Sequence, residues 1–274
     1  VAYTNGTATN YKDLLAVLAT FAAANGWTIL AQSATSLALR GAGTNGLDEI
    51  YVGIETFENT SSGYYNWKLA GSWGWRSGRA LGAHPMSSGF CYAYLWNSSI
   101  PYWIVATPRR IILVAKVSTI YQMVHLGLGN PPATDNQYPY PLIVGGCGVT
   151  EAQAYTVTGN GNSMFWANNG SNGIISRPGG DWDTVGPSTC PAISECYEQR
   201  ANILTDPSGV YTLDQIYIAD ATRTSVYAAI DGLYRVSGYG NTPENIITVS
   251  GVNYLAVQDV YRNTNGDFCA LRLN

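Results

Sequence analysis

The hydrophobic pattern changes its period once, early in the chain. Between Tyr11 and Asn25 the apolar residues Leu14, Leu15, Leu18, Phe21 and Ala22 recur three and four positions apart, which places them on one face of an α-helix. Asn10 supplies an N-cap side chain, Asp13 an acid for the first turn, and Gly26 a residue free to take the left-handed stop conformation. The spacing predicts an amphipathic helix that ends near Asn25.

After Gly26 the period falls to two. Trp27–Ala31 and Ser36–Arg40 flank a polar turn, Glu49–Phe57 alternates Ile50, Val52 and Ile54 with Glu49, Tyr51 and Glu55, and Tyr64–Ser72 continues the alternation. These runs predict an antiparallel meander, with Phe90–Trp96 as the next strand. Tyr102–Ala106 and Ile111–Val117 surround Thr107-Pro108-Arg109-Arg110, in which Pro108 presets the φ of a tight turn. Ile111–Ala115 is apolar on both alternating faces, so its strand is expected to be central and covered on both sides. Thr119–Leu126 is expected to be a short helix over one face.

Strands return in the last third: Val210–Ile218, Ala228–Val236, Ile246–Val249 joined by Ser250-Gly251 to Val252–Val257, and Phe268–Leu273 after Asn265-Gly266. The fold class is therefore expected to be α+β, mainly antiparallel β-sheet with an N-terminal amphipathic helix and long loops. Gly74–Gly89 reads as one such loop. Pro131-Pro132, the run Gln137–Pro141 and Gly145–Gly148 place a boundary near residue 148. Three regions follow: a helix plus antiparallel sheet over 1–148, a loop-rich excursion or short interface strand pair over 149–205, and a C-terminal β region over 206–274 that can be continuous with the first.

Composition narrows the functional classes. Of 274 residues only 12% are charged, about half the roughly 25% usual in soluble domains. The chain carries 30 Gly, 20 Tyr and 8 Trp, so its surface must be covered by neutral polar and aromatic groups, which suits burial against other subunits. A net charge of −4 without a basic run cannot neutralise a phosphate backbone, so no nucleic acid is expected. The longest apolar stretches, such as Ile111–Val117, fall short of the roughly 20 residues a membrane helix needs, and Val1–Asn5 shows no signal-peptide pattern. A start at Val1 matches removal of an initiator Met, from which synthesis in the cytoplasm is expected.

Little in the sequence points to catalysis. No nucleophile elbow, H-E-x-x-H, dinucleotide or Walker pattern occurs. His84, beside Pro85, reads as a loop residue and His125, between Val124 and Leu126, as a packing residue. Asp181-Trp182-Asp183 invites a glycosidase or Ca²⁺ reading, but a polar loop anchored by its Trp is the preferred one. The five cysteines, Cys91, Cys147, Cys190, Cys196 and Cys269, are odd in number and scattered, which favours buried thiols. Cys190 and Cys196 are spaced too widely for a zinc knuckle. Two reduced thiols are the default reading for them, with a local disulfide as the alternative. No catalytic residue, metal ligand or cofactor is assigned, and the chain is not expected to be an enzyme.

The aromatic clusters Tyr64-Tyr65-Asn66-Trp67, Trp73-Gly74-Trp75, Tyr92-Ala93-Tyr94-Leu95-Trp96 and Tyr102-Trp103 admit two readings. Tyr and Trp serve cores and protein interfaces, where the ring packs and its polar end finds a partner; they also stack on sugar rings. The first is favoured. Trp73, Trp75, Trp166 and Trp182 are the contact candidates under either reading.

Several runs together resemble a family of tailed-bacteriophage virion proteins. They include Asn10-Tyr11-Lys12-Asp13-Leu14-Leu15, Asn25-Gly26-Trp27-Thr28, Asp48–Ile54, Tyr64-Tyr65-Asn66-Trp67 and Leu95–Trp103. Arg109-Arg110-Ile111-Ile112, Ala115–Thr119 with Tyr121, Gln137–Leu142, Leu233–Gly238, and Asn245–Val249 through Val252-Asn253-Tyr254 follow in order. The resemblance covers two blocks, about 10–145 and 205–273, while 149–205 matches poorly. It implies a structural component of a virion made in the host cytoplasm, in the tail, baseplate or neck, whose partners are copies of itself and other virion proteins. It carries over no catalytic residue. Recognition of a host glycan and capsid decoration are the alternatives.

Overall fold

Asn10 starts the helix as the sequence predicts: its side-chain oxygen accepts the backbone N–H groups of Lys12 and Asp13 at 2.9 and 3.0 Å, satisfying donors that a helix terminus leaves open. The helix, α1, runs Tyr11–Ala24 and stops at Asn25, followed by Gly26 at φ 90°. It buries Tyr11, Leu14, Leu15, Leu18, Ala19 and Ala22 along one face.

The structure is a computed structural model that describes residues 1–44, 48–131, 141–155, 163, 172–177, 180–188, 211–219, 226–262 and 264–274. Among the described residues, the regular elements other than α1 and a 3₁₀ turn at Leu81–Ala83 are antiparallel strands. In chain order they are β1 (Ala2–Ala8), β2 (Thr28–Gln32), β3 (Ser36–Ala42), β4 (Glu49–Asn59), β5 (Tyr64–Ser72), β6 (Cys91–Ala93), β7 (Ile100–Thr107), β8 (Arg110–Val117) and β9 (Ile120–Leu128). Then follow β10 (Leu142–Gly145), β11 (Gly173–Ser176), β12 (Trp182–Ser188), β13 (Asp214–Ala219), β14 (Val226–Val236), β15 (Ile246–Val249), β16 (Val252–Gln258) and β17 (Phe268–Arg272).

Two sheets result. One has five strands in the order β2-β3-β4-β5-β6, the meander read from the alternation. The other has twelve, in the order β1-β7-β8-β9-β10-β11-β12-β13-β14-β17-β16-β15. Its first half carries apolar residues on both faces. One face, with Ile104 of β7, Ile111 and Leu113 of β8, and Val124 and Leu126 of β9, packs on α1 and on Leu39, Val52, Ile54, Trp67 and Leu69 of the small sheet. The other face, with Val105, Ile112, Val114 and Met123, packs on Ile216, Ile230, Leu255, Val257 and Leu271 of the second half. The molecule is thus a three-layer β arrangement with β8 in its middle layer, and the expectation of a doubly covered central strand holds.

The short helix expected over 119–126 does not form. Val117 pairs with Ile120, so Ser118, at φ 59°, and Thr119 make a two-residue hairpin turn, and Ile120–Leu128 is strand β9, paired with β8 and with β10. Its residues are buried along their whole length. A strand sandwiched between two layers loses its polar–apolar alternation, and without alternation a short apolar run reads equally as helix. The predicted strand at Phe90–Trp96 is reduced to Cys91–Ala93. The segment before the helix, with its polar Asn5-Gly6-Thr7, is strand β1, paired along its full length with β7.

The aromatic load goes largely into the core. Trp67 is fully buried and its indole N–H donates to Tyr11 O at 3.1 Å. Trp27 donates to Thr107 O at 2.8 Å, and Tyr92, Tyr94 and Trp103 are buried. The rings of Trp27, Trp67 and Tyr94 contribute apolar area while the polar end of each meets a backbone carbonyl. Cys91, Cys147 and Cys269 are buried free thiols; burial pushes the Cys91 thiol up to about 12 and that of Cys269 up to about 11.

Candidate functional site

The outer face of the five-stranded sheet is where side chains of mixed chemistry converge. Strand alternation sends Leu37, Leu39, Val52, Ile54, Trp67 and Leu69 inward. By register, Ala38, Gly53 and Ala70 then line up across β3, β4 and β5 on the opposite face, with Ser36, Glu55, Tyr51 and Ser72 around them. Small residues in a row leave a depression in the sheet surface.

The Gly74–Gly89 loop straps this depression. Leu81, buried at the 3₁₀ turn, points its Cδ1 at Gly53, where a Cβ would lie only 2.4 Å away, so a side chain at position 53 would evict it. The Leu81 N–H donates to Glu55 Oε1 at 2.9 Å, and Trp73 N–H donates to Pro85 O at 3.1 Å. Between strap and sheet remains a pocket of about 170 Å³, with Leu81 and the small residues at its floor and Tyr51, Glu55, Trp75, Arg79 and His84 among its walls.

His84 and Trp75 form one unit of that wall. Their rings stack at 4.2 Å between centroids and 30° between planes. Burial draws the His84 pKa below the ordinary imidazole value, against the opposing pull of the Glu55 carboxylate, so the ring is neutral near pH 7. Its Nδ1 accepts the Arg76 N–H at 3.3 Å. A neutral imidazole that accepts at Nδ1 carries its proton on Nε2.

The other sequence candidates fall elsewhere. Trp73 is half-buried at the end of β5, against Gly180. Trp182 packs into the main core beside Gly71, Leu142 and Val144, and donates its N–H to Met86 O at 2.8 Å, pinning the far end of the strap. Of the three that are described, Trp75 alone lines the pocket. Trp166, Cys190 and Cys196 lie outside the described residues. Asp181 and Asp183 both face Arg177, at 3.8 and 3.4 Å. His125 is wholly buried in β9 with Nδ1 3.4 Å from Ile143 O, and desolvation beside the Arg110 charge lowers its pKa to about 3.

Among the described residues no group of three or more His, Cys, Asp or Glu is arranged to hold a metal, and no helix is long and apolar enough to cross a membrane. The pocket residues Glu55, Arg79 and His84 were not singled out as binding groups by sequence pattern. They come from one strand and one irregular loop, and a strap that turns back over its own sheet leaves no periodic signal.

Compared with protein-family models and with curated proteins, the chain finds no match.

Proposed function

We propose that the chain is a structural subunit of a tailed-phage virion, placed in the tail, baseplate or neck, and that it acts through contacts with copies of itself and with other virion proteins. Support comes from the ordered resemblance of its segments to virion proteins, from its low charge, and above all from the way its large sheet ends.

The terminal strand β15 pairs with β16 on one side, and among the described residues no strand pairs with its other side. Val249 and Val252 flank the two-residue turn Ser250-Gly251, so they are the closing hydrogen-bonded pair of the hairpin. Alternation then turns the N–H and C=O of Ile246 and Thr248 away from β16. Ile246 is 52% exposed and Tyr239, in the loop before β15, 64%. Monomeric proteins blunt such edges with charge, proline or bulges. The Ile246-Ile247-Thr248-Val249 edge has none of these, and a neighbouring strand would satisfy it.

Immunogold electron microscopy on intact phage particles, with antibody raised against the purified chain, tests the assignment. Label confined to the tail end or neck is the expected result. Particles that stay unlabelled both intact and after mild disruption would overturn it.

A further inference from the structure

We infer that the pocket beneath the Gly74–Gly89 strap is a binding site for one neutral, hydroxyl-bearing six-membered ring, a single pyranose unit. The assignment stands on the pocket's geometry and does not rest on the virion reading.

Size comes first. A space of about 170 Å³ is close to the ~150 Å³ cavity known to admit one benzene ring, so it takes the ring of one unit, with the outer hydroxyls left toward its open side, and excludes an extended chain. Leu81, seated over Gly53 between Ala38 and Ala70, gives the pocket an apolar floor, and Trp75 adds an aromatic wall whose ring is held in place by the His84 stack. A pyranose has the matching shape, with C–H groups on its faces and hydroxyls around its edge. Small-molecule sites have this composition, mostly apolar with a few polar groups that fix orientation.

The polar groups fit hydroxyls better than a charge. Glu55 uses Oε1 to accept the Leu81 N–H, and Oε2 remains to accept from a ligand. The His84 Nε2–H and the Arg79 guanidinium donate. Ser72 gives its own proton to Gly74 O at 2.9 Å, leaving its oxygen as an acceptor. Acceptors from the sheet and donors from the strap around one small space suit groups that do both, as hydroxyls do. An anionic ring would gain Arg79 but meet the Glu55 carboxylate, and a cationic one the reverse.

The strap also accounts for how the site is held. Leu81, through its contact with Gly53 and its hydrogen bond to Glu55, and Met86, through its hydrogen bond from Trp182, fasten the loop at two points, so the walls are formed before a ligand arrives and little ordering cost is added on binding.

The test uses the full chain and a panel of methyl pyranosides of glucose, galactose, mannose and N-acetylglucosamine, with methyl glucuronide as the anionic comparison. Saturation-transfer NMR and tryptophan fluorescence read the binding. At least one neutral glycoside is expected to bind saturably with Kd of about 1 mM, the range open to a ligand of this size. Glu55→Gln, which keeps an acceptor for the Leu81 N–H, is expected to weaken it about tenfold with the circular dichroism spectrum unchanged, and Trp75→Ala to abolish it. If Trp75→Ala loses its folded spectrum, Arg79→Ala takes its place, at an exposed position, with a loss of about threefold or more. Binding by no neutral glycoside, binding by the glucuronide alone, or affinities unchanged in Glu55→Gln and in Arg79→Ala would each overturn the inference.

Discussion

Arg110 of β8 and Asp231 of β14 meet at 3.2 Å across the interface between the middle and C-terminal layers, with both terminal guanidinium nitrogens directed at one carboxylate oxygen. The arginine side chain is almost wholly buried, whereas the aspartate is 41% exposed. Burial draws the Arg110 pKa below its ordinary value and Asp231 opposes that shift, but the guanidinium stays charged. A second link joins the same layers, where Glu244 accepts from Lys116 and from Tyr121, the latter at 2.5 Å.

Removing Asp231 leaves a buried cation with its partner gone. Full loss of a partner in a buried pair costs about 3–5 kcal/mol, and exposure of the aspartate reduces this because water replaces part of the interaction. Asp231→Ala is therefore expected to destabilise the fold by about 2 kcal/mol in urea denaturation. Arg110→Met, which removes the charge and keeps much of the side-chain volume, should cost less than Asp231→Ala. The reverse order would show that the pair acts through attraction rather than through the penalty for an unpaired charge.

Backbone geometry gives a sharper contrast at two glycines. Gly127 in β9 has φ 126°, and a Cβ there would stand 2.2 Å from Arg109 O, a backbone atom that cannot turn aside. Gly251 in the β15–β16 turn has φ 80° with nothing within 4 Å. Gly251→Ala thus pays only the left-handed backbone penalty, about 1 kcal/mol. Gly127→Ala adds a clash and is expected to cost about 3 kcal/mol or more. Equal unfolding midpoints for the two variants would contradict this account of the β8–β9 pairing.

How much of this was legible in the sequence depended on whether a residue faces water. The helix over 11–24 and the meander through Ser72 were readable because each exposes one side: Leu18 and Thr20, or Ile54 and Glu55, record their surroundings in their polarity. β9 was not, because Tyr121, Met123, Val124 and Leu126 are buried on both faces, and helix and strand leave the same apolar trace there. β1 was missed for the opposite reason. It is an edge strand whose Thr4, Asn5 and Thr7 carry no apolar stripe, and its pairing with β7 depends on a partner about a hundred residues away. Of the proposed ring site, Trp75 stood out through composition, whereas Glu55 and His84 meet only because the strap folds back, a tertiary fact without a local signature.

Two buried ionisable groups set the pH response in opposite directions. His125 has its folded pKa depressed to about 3 from 6.5, chiefly by desolvation, so the stability it contributes is present above pH 6.5 and is lost as pH falls toward 3. Asp259 is raised to about 6 from 3.8, again by desolvation, although Ser163 N–H donates to its Oδ1 at 2.9 Å. Its contribution is fully present below pH 3.8 and is lost as pH rises through 6. Between about pH 6 and 4 the two slopes oppose each other, each near 1.4 kcal/mol per unit at its steepest. The wild type is expected to show a nearly flat stability profile there and a fall below pH 4. His125→Gln should become more stable on going from pH 7 to pH 4, and Asp259→Asn should lose stability steadily from pH 6.5 downward. Urea midpoints across this range check all three, and coincident profiles would remove both groups from the account.

The assembly reading turns on the open edge of β15. Thr248 directs its backbone N–H away from β16, so proline at that position removes a donor toward a neighbour while leaving the β15–β16 ladder intact. Within the chain the substitution loses the Thr248–Asn253 side-chain hydrogen bond of 2.8 Å, worth about 1 kcal/mol or less at an exposed site. Thr248→Pro is therefore expected to fold with an unchanged circular dichroism spectrum and to sediment as a monomer at concentrations where the wild type forms larger species. Ile246→Lys should act in the same direction by adding charge to the exposed edge. A wild type that sediments as a monomer at every concentration, or variants that associate as strongly as it does, would detach β15 from assembly and leave the virion proposal to the segment resemblance and the low charge.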